Sequence, residues 1–166
     1  MITRSRAARS AATVLIAGAL LVGTSGCVFI TPTATLNYYD PSDGVGATLG
    51  DVRILNMVGI INEDGHAISL VTSIFNGGKI TNVDIQFESG GEKTTVTQPV
   101  RSGATVNIGT TPDAEKQIII LNPGVPAGDL LPVYVQHGDE PGELLMVPVL
   151  EPTGAYAELA PPAILR

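Results

Sequence analysis

The chain of 166 residues contains no tryptophan, three phenylalanines, four tyrosines and a single cysteine. So few aromatic side chains argue against an aromatic platform for binding sugars. A lone cysteine forms neither an intramolecular disulfide nor a zinc site built from several thiolates. The fold must therefore be stabilised by burying apolar side chains, and a chain of this length can bury a sizeable core.

Motifs of the common enzyme classes are also absent. The sequence has no Gly-x-Ser-x-Gly elbow, no His-Glu-x-x-His pair and no phosphate-binding loop. Residues 40–44 have the composition of a calcium loop, but no glutamate stands at the distance that an EF-hand requires. These absences predict a protein that is not an enzyme and that has no catalytic cofactor.

Basic residues are scarce relative to acidic ones. Three of the nine Lys and Arg residues, and none of the sixteen Asp and Glu residues, lie in the first 26 positions. Residues 27–166 therefore carry six basic and sixteen acidic groups, a formal net charge of −10. Such a surface repels the phosphates of nucleic acids and of anionic lipids, so we do not expect nucleic-acid binding.

The first 26 residues have the order of a secretory signal peptide. Arg4, Arg6 and Arg9 precede an apolar run at 11–22, and four small residues follow at 23–26. A membrane-spanning helix needs about 20 apolar residues, and this run is shorter. We therefore predict that residues 1–26 direct export and are removed.

The small residues that end at Gly26, followed at once by Cys27, resemble the lipobox of bacterial lipoproteins. This resemblance implies cleavage after Gly26 and a thioether-linked diacylglyceryl group on Cys27. Two acyl chains are enough for stable anchoring, whereas one chain binds a membrane only marginally. The expected location is the extracytoplasmic side of the cell membrane, to which the lipid on Cys27 anchors the protein.

The composition of the remaining chain divides it into three parts. Residues 27–50 are rich in Thr, Pro, Asn, Asp and Gly and predict a tether. In residues 51–150, short runs of Val, Ile, Leu and Thr alternate with turn residues, which predicts a β-sandwich. Residues 151–166 hold three prolines without alternation and predict a flexible tail.

The sandwich is expected to contain about eight antiparallel strands in two packed sheets of the immunoglobulin-like or cupredoxin-like kind. The strand at 80–88 has the clearest period of two, with Val83, Ile85 and Phe87 on one face. The strand at 93–98 is polar and precedes Pro99, so it is expected at a sheet edge. The other expected strands are 51–61, 67–76, 104–108, 117–121, 130–136 and 143–150.

Two resemblances to known proteins support this division. Residues 39–45 and 50–56 resemble a group of actinobacterial lipoproteins of unknown function that share the order lipobox, tether and sandwich. The second half of the domain resembles the closing strands of the periplasmic copper chaperone PCu(A)C family, small cupredoxin-like sandwiches. The segments that carry this second resemblance are 100–104, 118–121, 128–133 and 145–149.

The copper chaperone resemblance implies a Cu(I) site made from Met and His, whose soft thioether and imidazole groups suit that ion. The exported part of the chain offers Met57, His66, His137 and Met146, but not the spaced Met…His-x-Met arrangement of that family. The first interpretation is that both methionines fill the core and that both histidines are exposed turn residues. The alternative is a degenerate copper site built from these four residues.

Two hypotheses about function follow. The first is a lipid-anchored, non-enzymatic envelope protein whose sandwich contacts another envelope protein through a loop end or through the edge strand 93–98. The alternative is a metal-handling protein related to the copper chaperones. Fold similarity alone does not transfer copper chemistry to this chain.

Overall fold

The computed structural model describes residues 42–111 and 116–162, which belong to the compact unit Asp40–Arg166. The predicted signal peptide, its cleavage site at Gly26, the predicted lipidation site Cys27 and most of the predicted tether lie outside the described residues. Within those two ranges no helix is long and apolar enough to cross a membrane.

The described residues form nine strands and one short 3-10 turn. They are β1 (Val45–Leu49), β2 (Val52–Ile61), β3 (Ala67–Asn76), β4 (Thr81–Ser89), β5 (Glu92–Val100), β6 (Thr105–Ile108), β7 (Ile118–Leu121), β8 (Leu130–His137), β9 (Glu143–Leu150) and the turn Gly154–Tyr156. Hydrogen bonds join them in the order β5-β4-β8-β9-β2-β3-β6, with β1 also paired to β2 and β7 to β3. The predicted all-β sandwich is confirmed.

The sheet differs from the prediction in one connection. All paired strands are antiparallel except β2 and β9, which run parallel where Gly59 lies opposite Val149 and Ile60 opposite Leu150. This short parallel contact joins the two layers of the sandwich into one curled, mixed sheet.

Alternating burial builds the core between the layers. In β4 the side chains of Val83, Ile85 and Phe87 are buried, as their spacing predicts. The last two strands follow the same period of two, because a pleated strand points successive side chains to opposite faces. Their inward residues are Leu131, Val133 and Val135 in β8 and Leu145, Val147 and Val149 in β9.

The first strand lies inside the predicted tether, whose expected end at residue 50 is therefore wrong. Ala47 and Leu49 in β1 are buried in the core, and the strand pairs with β2. Glycines at positions 44, 46 and 50 hide the alternation of this strand in the sequence. Gly44 must approach β2 closely, because its N–H donates to Asn56 Oδ1 at 2.9 Å. The sandwich thus begins before residue 51.

A β-bulge in the middle of β2 reverses the direction in which its side chains point. Ile54 faces the core before the bulge and Met57 faces it afterwards. The pairing with β3 shifts by one residue in this region, where Asn56 has a φ of 50°. Because one extra residue exchanges the two faces of a strand, Val58 and Ile60 point away from the main core although they are apolar.

The C-terminal segment covers these outward side chains. Val58, Ile60 and Val71 form a second apolar cluster, against which Tyr156 and Leu159 pack. The prediction of a flexible tail after residue 150 therefore fails for this stretch. The reason is the bulge, which gives the segment an apolar surface to pack on.

A hydrogen bond also connects the C-terminal segment to the residues before β1. Tyr156 Oη donates to Asp43 Oδ2 at 2.7 Å. This bond, followed by burial and by the negative charge of Asp43, raises the pKa of Tyr156 above its ordinary value. A raised pKa means that the bond stabilises the fold below the ordinary pKa of tyrosine. That stabilisation is lost as the pH rises through the raised pKa.

Candidate binding surface

The outer face of β8 and β9 carries apolar side chains that are open to solvent. The pairs across the two strands are Leu130 with Pro148, Pro132 with Met146 and Tyr134 with Leu144. We call these six residues the β8–β9 face. Leu130, Leu144 and Met146 are 45, 59 and 44 % exposed. Contiguous exposed apolar residues on a soluble domain are characteristic of interaction sites.

Two prolines are tolerated in this face because each lies where its strand lacks a second neighbour. The pairing of β8 with β4 ends at Tyr134, two residues after Pro132. The pairing of β9 with β2 begins at Val149, one residue after Pro148. A proline has no N–H to donate, so it is expected where a ladder is incomplete.

The conformation of Tyr134 depends on a glycine in the hairpin that joins the two strands. A Cβ atom on Gly142 would overlap the phenol ring of Tyr134. The ring therefore lies directly against the backbone at this position. This contact holds a large aromatic side chain in place on the β8–β9 face, and a rigid aromatic anchor loses little entropy when a partner binds.

An open groove of 600 Å³ runs beside the face. Tyr134 and Leu144 form its apolar side, and Gln86, Glu88 and Lys93 on β4 and β5 form its polar side. The groove thus marks the boundary between the apolar and the polar halves of one sheet surface.

The surroundings of the β8–β9 face are mainly acidic. Asp84 and Glu88 point outward from β4, and Asp129 and Glu143 stand at the ends of β8 and β9. All four are exposed, and Lys93 is the basic residue that lines the groove. A partner that covers this face would therefore meet an apolar centre with a negatively charged rim.

The expected edge position of the strand at 93–98 is confirmed, since β5 ends the path of paired strands. Its partner is β4, with which it pairs over nine residues. Side-chain bonds support this pairing on the outer face, where Thr97 donates to Asp84 at 2.6 Å and Gln86 to Thr95 at 3.1 Å. The edge belongs to the same sheet as the β8–β9 face, two strands away from β8.

The two methionines of the proposed copper set lie in different environments. Met57 is fully buried in the core, as the first interpretation expects. Met146 was also expected in the core, and this expectation is wrong, because the residue lies on the outward side of β9. Residues 144–150 are apolar at every position, so the sequence does not show which face of the strand points to the core. In the structure the inward face is the one that carries Leu145, and Met146 lies on the other face.

The two histidines lie at opposite ends of the sandwich. His137 is the last residue of β8, and His66 comes shortly after the last residue of β2. The strand β9 lies between them, antiparallel to β8 and parallel to β2, so β8 and β2 run in opposite directions and end at opposite ends of the sandwich. The prediction that His137 is an exposed turn residue is wrong, since its Nε2 lies 2.7 Å from the carbonyl oxygen of Leu49. His66 lies in the β2–β3 turn as predicted and is half-buried rather than exposed.

The structure therefore does not bring the four Met and His residues together. Met146 pairs with Pro132, five residues before His137, so the two lie about 16 Å apart along β8. In the two described ranges, no group of three or more His, Cys, Asp or Glu residues is placed to hold a metal ion.

Comparison with known proteins finds similarity in fold. No protein-family model and no curated protein match the chain. Among solved structures, the apo PmoF2 PCuAC domain matches 66 % of this chain and 97 % of its own length, with a TM-score of 0.50 and 10 % sequence identity. The copper-bound PCuAC domain from PmoF2 matches 64 % and 97 %, with a TM-score of 0.47 and 11 % identity.

The sandwich has the fold of a PCuAC domain. The predicted resemblance of the sandwich domain to that family is thus confirmed at the level of the fold. At 10 % identity the similarity shows the architecture alone.

The β8–β9 face was not predicted from the sequence. Its signal was nevertheless present, because residues 144–150 are apolar on both faces of a strand. Such a run predicts either a strand buried on both sides or an uncovered apolar face. Deciding between the two requires the position of the strand in the sheet, which only the structure supplies.

Proposed function

We propose that the protein is a non-enzymatic binding protein that a lipid on Cys27 holds at the extracytoplasmic side of the cell membrane. Its β8–β9 face is the surface on which another envelope protein docks. The observation that supports this proposal is the exposure of Leu130, Leu144 and Met146 on one sheet surface. Apolar groups in that position are stabilised when a partner removes them from water.

The charge around the face indicates the chemistry of the partner. An apolar centre with Asp84, Glu88, Asp129 and Glu143 near its margin favours a segment with apolar side chains in the middle and basic residues at the sides. An anionic membrane surface is disfavoured by the same carboxylates. We therefore assign the face to a basic amphipathic segment of a protein and not to lipid headgroups.

The first prediction concerns contact at this face in living cells. A photoreactive amino acid at Leu144, which is 59 % exposed, is expected to crosslink to a partner protein. Adding Met146→Asp should reduce the crosslinked product at least tenfold, because a carboxylate would be buried without a counter-charge. The measurement is the yield of the crosslinked band on a gel, with the partner identified by mass spectrometry.

Ile80→Asp is the matched control for this experiment. Ile80 is 70 % exposed in the turn between β3 and β4, outside the β8–β9 face, so the same change there should leave the crosslink intact. A photoreactive amino acid at Thr94 tests the edge strand in the same way. If it crosslinks to the partner and Met146→Asp does not reduce the yield, docking is at the edge strand instead. Absence of any crosslink at Leu144 would contradict the proposal.

Metal handling is the second candidate function, and the fold of a PCuAC domain is the observation that favours it. Two of its proposed ligands already have other contacts. Met57 is enclosed by the core, and both ring nitrogens of His137 lie near oxygen atoms of Leu49 and Thr81. A Cu(I) site from these residues would require the histidine ring to leave both contacts.

The second prediction separates the two candidates. Residues 28–166 contain the whole of the compact unit and lack the Cys27 thiol, so this chain is suited to a Cu(I) competition titration. We expect no stoichiometric binding at sub-micromolar Cu(I), because His66 and His137 lie at opposite ends of the sandwich. Tight binding that is lost in Met57→Leu or His137→Gln, but not in His66→Gln, would favour metal handling instead.

A further inference from the structure

Residues 28–166 contain two sulfur atoms, and the fold exposes one of them. These atoms belong to Met57 and Met146, since the other sulfur-bearing residues of the chain are Met1 and Cys27. Met57 has no exposed surface, whereas Met146 is 44 % exposed on the outward side of β9. A small oxidant dissolved in water therefore reaches the side chain of Met146 and not that of Met57.

Met146 lies in the middle of the β8–β9 face. The other two cross-strand pairs of that face stand on either side of its own pair with Pro132. The leucine and proline side chains around it carry no hydrogen-bond donor. The hydroxyl of Tyr134 lies against Gly142 in the hairpin. A polar atom on Met146 would therefore find its hydrogen-bond partners in water and not in the face itself.

Oxidation of a methionine changes the polarity of its side chain and can be reversed. A peroxide transfers one oxygen atom to the sulfur, which loses two electrons while the peroxide gains them. A lone pair of the sulfur forms the new S–O bond, the O–O bond breaks, and the departing oxygen takes up the proton and leaves as water or an alcohol. The product, methionine sulfoxide, is polar, and reductases restore the thioether. Oxidation of Met146 thus places an S–O dipole at the centre of an apolar surface.

We propose that Met146 is a site of oxidation by peroxides and that its sulfoxide form releases the partner from the β8–β9 face. This inference rests on the docking function proposed above. A partner can cover the apolar thioether at no polar cost, whereas covering the sulfoxide removes its oxygen from water without supplying a donor. The partner is therefore expected to bind the oxidised protein at least fivefold more weakly, because a buried polar group without a hydrogen bond is unfavourable.

The first measurement is the rate at which each methionine is oxidised in purified protein comprising residues 28–166, which include the whole compact unit. The two methionines fall in separate tryptic peptides, residues 54–79 and 117–166, so mass spectrometry follows each sulfur by itself. In dilute hydrogen peroxide, Met146 is expected to gain an oxygen atom at least tenfold faster than Met57, because oxidation follows exposure. In urea, where both side chains are exposed, the two rates should become similar. Equal rates in the folded protein would overturn the proposal.

The second measurement is docking of the full-length protein in isolated membranes, read as the crosslink from a photoreactive residue at Leu144 with and without hydrogen peroxide. Peroxide should lower the yield at least fivefold, and added methionine sulfoxide reductase should restore it. In Met146→Leu, which has no sulfur at this position, the yields with and without peroxide should be equal.

The outcomes distinguish this inference from the docking function on which it rests. Absence of the crosslink before peroxide is added would contradict the docking function, and this inference with it. A crosslink that persists although Met146 is fully oxidised would overturn this inference alone. The same conclusion would follow if peroxide lowered the yield equally in Met146→Leu, since the oxidised group would then lie elsewhere.

Discussion

Replacing Cys27 with alanine is expected to remove the mature, lipid-anchored form of the protein from the membrane fraction almost completely. The thiol is the attachment point that the resemblance to a lipobox implies, and the variant has no group to carry the diacylglyceryl anchor. Each buried methylene group of an acyl chain contributes about 0.8 kcal/mol to membrane binding, so the loss of two chains leaves no comparable attraction. The net charge of residues 27–166 adds repulsion from anionic lipids. The variant should appear in the medium or accumulate as uncleaved precursor.

The measurement is fractionation of cells, followed by the mass of the mature N-terminus. Ser25→Ala is the matched control, since it keeps a small residue next to the cleavage site and should leave both anchoring and cleavage intact. A Cys27→Ala protein that is cleaved normally and stays with the membrane would show that the protein is not a lipoprotein.

Strands with one buried face were predictable from the sequence because their burial is periodic. In β4 the alternation of Val83, Ile85 and Phe87 with polar residues follows directly from the pleat, and the structure has the same pattern. The expected edge position of β5 was also correct, since a polar strand that contains Pro99 is poorly suited to neighbours on both sides.

The features that were missed depend on contacts between distant parts of the chain. The bulge at Asn56 leaves no clear pattern in the sequence, because β2 is apolar at nearly every position after it. Because the bulge turns Val58 and Ile60 outward, Tyr156 and Leu159 near the C-terminus can pack on them. Neither the strand nor the tail contains this information alone.

The candidate sites could be anticipated even less. The sequence suggested Met and His as copper ligands because their side chains can bind Cu(I). The strand order, however, places His66 and His137 at opposite ends of the sandwich. The β8–β9 face consists largely of residues without distinctive chemistry. Such sites arise from which strands are uncovered and from where loops meet, and these are properties of the sheet order.

Ending the chain after Glu151 tests the consequence of the bulge for stability. The truncated protein loses Tyr156 and Leu159, which pack on the outward cluster of Val58, Ile60 and Val71. The truncation exposes these three cluster side chains only in part, because β2 and β3 still cover their other sides. It should lower the free energy of unfolding by about 3–5 kcal/mol, which is less than the sum of the roughly 1.5–3 kcal/mol that complete exposure of each side chain would cost. The measurement is urea denaturation of residues 28–151 compared with residues 28–166.

A second truncation, after Pro162, supplies the control. It removes only residues 163–166, which lie outside the described ranges, and keeps the packing on the second cluster.

The variant Tyr156→Phe separates the contribution of the hydrogen bond from that of the apolar packing, because it deletes the bond to Asp43 and keeps the ring. We expect a loss below about 1.5 kcal/mol for this variant, as is usual for a single hydrogen bond. If the chain that ends after Glu151 is as stable as the whole, the segment does not stabilise the sandwich and β2 tolerates two apolar faces. If Tyr156→Phe reproduces most of the loss, the bond to Asp43 outweighs the apolar packing.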